Sequence, residues 1–207
     1  MTMRDILGLS PVVPVVTLAD PDDAVPMARA LLAGGINVVE VTLRTGAGLH
    51  SIRAIASELP EMTVGAGTVL STADADGAIL AGARFLVSPG LTPALLADAT
   101  RRDTPYLPGV ASASEVMMAL EHGFDCLKIF PAAALGASTI KALGGPFPQI
   151  LFCANGGVTL ETAPDFLGLA NVRAVGATWV ASPELLAARD WAAIEANARA
   201  AAALRAS

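Results

Sequence analysis

Eight short, apolar, β-rich runs recur along the 207 residues at intervals of roughly 20–27, separated by longer stretches with helical patterning. The runs are Val12–Leu18, Val38–Leu43, Thr63–Val69, Phe85–Ser88, Pro105–Leu107, Cys126–Phe130, Ile150–Ala154 and Val172–Val175. Successive strands joined through a helix run parallel, because the long crossover returns the chain to the same end of the sheet. Eight such units predict an α/β fold closed into a single (β/α)8 TIM barrel. An open, doubly wound sheet is the alternative. Its dinucleotide fingerprint is missing after the first run, where Val16-Thr17-Leu18-Ala19-Asp20 contains no glycine.

The helical stretches include Pro21–Ala33, Leu49–Leu59, Ala73–Ala81, Pro93–Arg102, Ser114–His122 and Leu185–Leu204. Several begin on capping signals: Asp20-Pro21, Ser71-Thr72-Ala73-Asp74, Thr92-Pro93 and Ser112-Ala113-Ser114-Glu115. Gly34-Gly35, Gly82 and Gly123 stand where helices should stop. The residues before about Ser10 read as a short lead helix, and no linker interrupts the chain, so one domain over 1–207 is expected.

Composition narrows the partners. A hydrophobic content of 54% supplies a sizeable core, much of it alanine. No apolar run reaches the roughly 18–20 residues of a membrane span, and Met1-Thr2-Met3-Arg4-Asp5 lacks the basic and apolar regions of a secretion signal. A net charge of −6 argues against nucleic acid or an anionic membrane as partner. Cys126 and Cys153 both fall in apolar runs and read as buried free thiols of a reducing, cytoplasmic compartment. No His/Asp/Glu cluster has metal-ligand spacing, so no metal is expected. His50, His122 and Lys141 are expected at the surface, and Trp179 and Trp191 are expected to pack.

Chemistry in a (β/α)8 barrel sits at the C-terminal ends of the strands, and unusual residues occur there. In Glu40-Val41-Thr42-Leu43-Arg44 the two-residue strand period puts Glu40, Thr42 and Arg44 on one face. The apolar alternates belong against the helices, so the polar set points into the barrel. A buried carboxylate or guanidinium needs a partner. An internal Glu40–Arg44 ion pair closing one end of the barrel is the structural account of that set. The sixth run repeats the pattern: with Leu127 and Ile129 against the helices, Lys128 and Phe130 point inward, beside Glu40. Only two of the thirteen basic residues are lysines, and one occupies this run. Arginine stays protonated, whereas a lysine amine in an apolar site can lose its proton and act as a nucleophile. Lys128 with Glu40 therefore suits imine chemistry, the amine attacking a ketone and the carboxylate moving protons. A lysine snorkelling from a strand end is the alternative.

Gly65-Ala66-Gly67-Thr68 ends the third run, where small residues admit backbone or substrate and Thr68 adds a hydroxyl. Ser88-Pro89-Gly90 and Pro108-Gly109 read as turns, with Pro89 able to form an apolar wall. Gly156-Gly157 follows the seventh run and Gly176-Ala177-Thr178 the eighth. Barrels commonly hold phosphate on backbone N–H groups in those two loops.

Taken in order, Pro11-Val12-Val13-Pro14-Val15, Val39-Glu40-Val41-Thr42-Leu43-Arg44-Thr45, Gly65-Ala66-Gly67-Thr68-Val69, Ser88-Pro89-Gly90, Leu107-Pro108-Gly109, Leu127-Lys128-Ile129-Phe130-Pro131-Ala132 and Gly156-Gly157 closely resemble the KDPG/4-hydroxy-2-oxoglutarate aldolase family over nearly the whole chain. The resemblance implies a class I aldolase on a (β/α)8 barrel, a homotrimer, with no cofactor beyond the covalent imine and with a small 2-keto acid as substrate. It implies that Lys128 is the Schiff-base lysine and Glu40 the acid/base. Arg44 and Thr68 would hold the pyruvate half, Pro89 and Phe130 would line the pocket, and Asn155, Gly156, Gly157, Gly176 and Thr178 would hold the distal, phosphate end. Three positions depart from the usual phosphogluconate pattern: Asn155 stands for Thr, Thr178 for Ser and Ala133 for Glu, while Ala134–Leu143 resembles the galactonate-type branch. The substrates implied are 2-keto-3-deoxy-6-phosphogluconate or, alternatively, 4-hydroxy-2-oxoglutarate or the phosphogalactonate epimer. A non-catalytic barrel binding a phosphorylated ligand is the alternative of another class.

Overall fold

The computed structural model describes residues 1–204; the expected domain's last three residues lie outside the described residues. All strand pairs are parallel, and nine strand segments follow the chain: β1 (Val12–Val16), β2 (Val38–Thr42), β3 (Thr63–Gly67), β4 (Leu86–Val87), β5 (Tyr106–Leu107), β6 (Gly109–Val110), β7 (Cys126–Ile129), β8 (Leu151–Asn155) and β9 (Val172–Ala177). Their spatial order is β5-β4-β3-β2-β1-β9-β8-β7-β6. The two terminal segments are consecutive in the chain and separated only by Pro108, so the ring is closed covalently and the nine segments form the eight staves of a barrel. Proline has no N–H for the ladder, which interrupts the fifth stave. Its carbonyl still accepts from the Lys128 N–H at 2.9 Å, and the Val110 carbonyl accepts from the Phe130 N–H at 3.0 Å.

The expected Pro108-Gly109 turn is therefore half of a strand. Read from sequence, Pro-Gly stops a strand; here the chain keeps its direction through the pair, and Gly109 joins the ladder opposite Lys128. The expected helix Leu185–Leu204 is two helices, Pro183–Ala187 and Trp191–Ala202, divided at Arg189, whose φ of 51° is left-handed. The lead helix is Met3–Leu7, capped by Thr2 and Asp5 in a capping box. Ser71 and Asp74 form a second such box, and the Ser112 side chain accepts from the Glu115 N–H.

The strands alternate faces as the barrel requires. Val39, Val41, Val64 and Ala66 are fully buried on the helix side, while Glu40 and Thr42 turn inward and are equally enclosed. Gly65 and Gly67 are laddered to Glu40 and Thr42. A side chain at Gly65 would collide with the Phe85 ring, and one at Gly67 with the Glu40 carboxylate. These two glycines make room for neighbouring protein side chains inside the barrel. Trp179 and Trp191 pack against the core, Cys126 and Cys153 are free and buried, and His50 and Lys141 are exposed. Among the described residues no helix is long and apolar enough to cross a membrane.

Candidate active site

At the centre of the barrel the Lys128 Nζ lies 3.4 Å from the Glu40 Oε1. Lys128 is 4% exposed and Glu40 2% exposed. β2 and β7 stand on opposite sides of the ring, and only inward side chains of both can meet. Leaving either charge unpaired at this depth would cost several kcal/mol (about 3–5 on removing one partner), so the pair is held together by the absence of water. The Phe130 ring centroid is 5.7 Å from the same ammonium, close enough for a cation–π contact. Cys153 is laddered to Lys128. Burial pushes its thiol up to about 12; the nearby Glu40 carboxylate adds to that rise and Lys128 opposes it. The thiol therefore stays protonated, and the lysine amine has no competing thiolate nucleophile beside it.

Arg44 does not pair with Glu40. β2 ends at Thr42, and Arg44 lies beyond it, exposed at the rim, where its Nε donates to the Thr68 Oγ1 at 3.0 Å. The strand period carried only as far as the ladder did. Thr42 makes its own bond, to the Thr17 Oγ1 at 2.8 Å. Thr68 has a φ of 60°, in the left-handed region that a β-branched residue occupies only at a cost of about 1–3 kcal/mol.

A cavity of about 230 Å³ opens above Lys128, lined by Val15, Arg44, Lys128, Phe130, Asn155, Gly156, Gly157, Val158, Gly176 and Thr178. It thus gathers Lys128, Arg44 and the residues expected at the distal end. Gly156 and Gly157 have φ of 93° and 75°, conformations that suit glycine. A side chain at Gly156 would strike the Phe130 ring at 2.9 Å, and one at Gly157 would meet Ala133 at 2.7 Å. Asn155 is 3% exposed, and its Oδ1 has no hydrogen-bond partner. A side chain at Gly176 would overlap the Asn155 amide, so the glycine is what lets an asparagine fit. Thr178 is exposed beside the mouth.

Glu40, Thr68 and Pro89 are not among the lining residues. Glu40 stands beneath, against Lys128; Thr68 reaches the cavity through Arg44; Pro89 touches Gly109, the ladder partner of Lys128. Val15 and Val158 were missing from the sequence-derived set. Val15 is laddered to Glu40, and the same period that turns Glu40 inward turns Val15 inward. Val158 carried no signal. Among the described residues no group of three or more His, Cys, Asp or Glu could share a metal ion.

A parallel barrel that buries a lysine amine against a carboxylate, below a small cavity walled by glycine loops, has the construction of a Schiff-base aldolase. The sequence matches the family "KDPG and KHG aldolase" over residues 3–197. It is 46% identical over 189 residues to a 2-dehydro-3-deoxy-phosphogluconate aldolase of Pseudomonas aeruginosa, covering 91% of this chain and 86% of that one. It is 44% identical over 197 residues to a KHG/KDPG aldolase of Escherichia coli K12, covering 95% and 92%. A crystal structure of a KDPG aldolase from Legionella pneumophila, with pyruvate captured at low pH as a covalent carbinolamine intermediate, superposes with a TM-score of 0.96 at 38% identity, covering 98% of both chains. The chain belongs to the KDPG and KHG aldolase family.

Proposed function

We propose that this protein is a class I aldolase that reversibly cleaves 2-keto-3-deoxy-6-phosphogluconate to pyruvate and glyceraldehyde 3-phosphate through an imine on Lys128. The observation that carries the reading is the enclosed Lys128–Glu40 pair, 3.4 Å apart at the base of the cavity. In this mechanism the Lys128 amine adds to the C2 ketone to give a carbinolamine, which loses water to a protonated imine. The Glu40 carboxylate takes the C4 hydroxyl proton. C3–C4 then breaks, the aldehyde leaves, and the electron pair moves into the imine to form an enamine. Protonation at C3 and hydrolysis by water release pyruvate and restore the amine. The substrate's own covalent adduct serves as electron sink, so the reading needs no added cofactor. The guanidinium of Arg44, anchored by Thr68, faces the carboxylate of the pyruvate half, Phe130 forms an apolar wall, and Pro89 backs the neighbouring stave at Gly109. The backbone of Gly156 and Gly157, with Gly176 and Thr178, receives the phosphate, and Asn155 takes a hydroxyl or phosphate oxygen on its amide.

Borohydride reduction in the presence of pyruvate, followed by peptide mapping, tests this directly. A reduced pyruvyl adduct is expected on the peptide containing Lys128. Folded protein that gives no adduct in excess pyruvate would be a ligand-binding barrel without catalysis. A second substrate, 4-hydroxy-2-oxoglutarate, is favoured by the uncharged distal wall and by the double name of the Escherichia coli relative. Relative cleavage rates on it, the phosphogluconate and its galacto epimer rank the three. We read the assembly as a homotrimer in the cytoplasm. Leu70 and Leu80, 62% and 82% exposed, supply apolar surface for such contacts, and light scattering measures the mass.

A further inference from the structure

Tyr106 lies outside the cavity, yet it is tied to the site through a buried chain of hydrogen bonds. Its phenol is 2.5 Å from the Ser88 Oγ, and the Ser88 Oγ donates to the Gly90 carbonyl at 2.5 Å. Because the serine proton is committed to that carbonyl, the phenol is the donor to serine. Ser88 is fully buried, and Tyr106 is 4% exposed with its ring edge-on to Phe124 at 5.6 Å. Burial raises the phenol's pKa above the ordinary range, so the donor keeps its proton at physiological pH.

The strands give this chain its direction. Tyr106 is laddered to Leu86, and the Gly65 and Phe85 contact puts Phe85 inside the barrel. By the two-residue period Leu86, Ser88 and Tyr106 then lie on the outer, helix-facing side, while Pro89 turns inward. The Pro89 carbonyl sits where a Gly109 side chain would be, with the Gly90 N 2.7 Å from the same point, and Gly109 is laddered to Lys128. The turn at 88–90 is therefore wedged beside the lysine's neighbouring stave, and its grip from behind is the Ser88–Tyr106 bond.

We infer that Tyr106 is a positioning residue for the reaction: from the outer side of the barrel wall it fixes, through Ser88, the Pro89-Gly90 turn that abuts Gly109, the ladder partner of Lys128. The inference rests on Lys128 being the imine lysine. It assigns no contact with substrate to Tyr106 itself.

The test uses the full chain with Tyr106→Phe, Ser88→Ala, the double variant, and Phe124→Leu as a packing control. The readouts are the pyruvate concentration giving half-maximal borohydride trapping, the trapped fraction at saturation, and hydrogen exchange in the peptide spanning Pro89–Leu91. Loss of one buried hydrogen bond should raise the half-trapping concentration about fivefold in each single variant. The double variant should match the worse single one, because both cut one chain. Exchange at 89–91 should quicken in all three, and Phe124→Leu should lower thermal stability without moving the half-trapping concentration. Wild-type trapping behaviour and exchange in Tyr106→Phe, or additive losses in the double variant, would overturn the inference. Should Tyr106→Phe not fold, Ser88→Ala with unchanged trapping would overturn it equally. Wild-type protein that does not trap pyruvate overturns the imine assignment itself, and this inference with it.

Discussion

At the Lys128 end of the cavity, polar side chains from distant parts of the sequence converge: Glu40 from β2 and Lys128 from β7, with Arg44 and Thr68 at the rim. At the other end the lining is Gly156, Gly157, Gly176 and Thr178 around the amide of Asn155, with no charged side chain among them. The first end spends burial energy on two charges that need each other. The second offers backbone groups and small residues, which recognise oxygen atoms without fixing a net charge. On the proposed reading, a carbon–carbon bond is broken by the first kind of construction, and the second suits a family of related tails. In that sense the reaction and the substrate are set by different parts of one 230 Å³ cavity.

The sharpest way to separate the two ends is to remove the amine. Lys128→Ala should lower turnover by about 10⁴-fold or more, with no borohydride adduct and a cooperative unfolding transition retained. Residual cleavage near wild-type rate would dissolve the distinction. Glu40→Gln should lower kcat by about 10²–10⁴-fold, and the loss should appear equally on all three candidate substrates, because the carboxylate serves the shared half. Asn155→Leu breaks the comparison from the other side. It should leave pyruvate trapping unchanged while cutting kcat/KM for the phosphorylated substrate about tenfold, through loss of one polar contact; a parallel loss in trapping would mean that the two ends act as one. Thr68→Gly releases the left-handed threonine and frees Arg44. Thermal unfolding should show a gain of up to about 1 kcal/mol, while the pyruvate requirement rises about fivefold on loss of the Arg44 anchor.

The last effect concerns the thiols and is absent at neutral pH. Cys153 and Cys126 are both raised from an ordinary 9.0 to about 12, chiefly by burial. A group whose folded value is raised stabilises the fold below its unfolded value, and that contribution is lost as pH rises toward the folded value. Stability should therefore decline between about pH 9 and 12 in denaturant titrations. In Cys153→Ala the decline should be shallower, with no difference from wild type in the pH dependence below 8.

Much of this was written in the order of residues. Eight staves follow from the spacing of apolar runs, and Lys128 beside Glu40 follows from a charge placed on the inward phase of each strand. The phase argument gave Arg44 the wrong partner: the ladder stops at Thr42, and past that point the side chain lies at the cavity rim, held by Thr68 rather than by Glu40. Turn chemistry, a different signal, misled at Pro108-Gly109, where a pair that usually marks a turn is held in the ladder by Lys128. The distal end was least legible. Backbone groups carry no residue signature, and the fit of Asn155 over Gly176 depends on two staves lying side by side. The Tyr106–Ser88 bond was hidden for the same reason, since it joins two adjacent staves whose register no single run reveals.

The seam at Pro108 has a consequence for the growing chain. The carboxylate of Glu40 and the rim pair Arg44–Thr68 lie on the N-terminal side of that residue, and Lys128, Asn155 and both glycine loops lie on the C-terminal side. During synthesis the first half emerges carrying an acid with nothing to act on. The Lys128 amine comes later, and the ring that brings it to its carboxylate is closed by the β9–β1 and β6–β7 pairings. An unfinished chain thus lacks the ring that encloses Lys128 against Glu40, and on the proposed reading the power to condense with carbonyl compounds waits on closure.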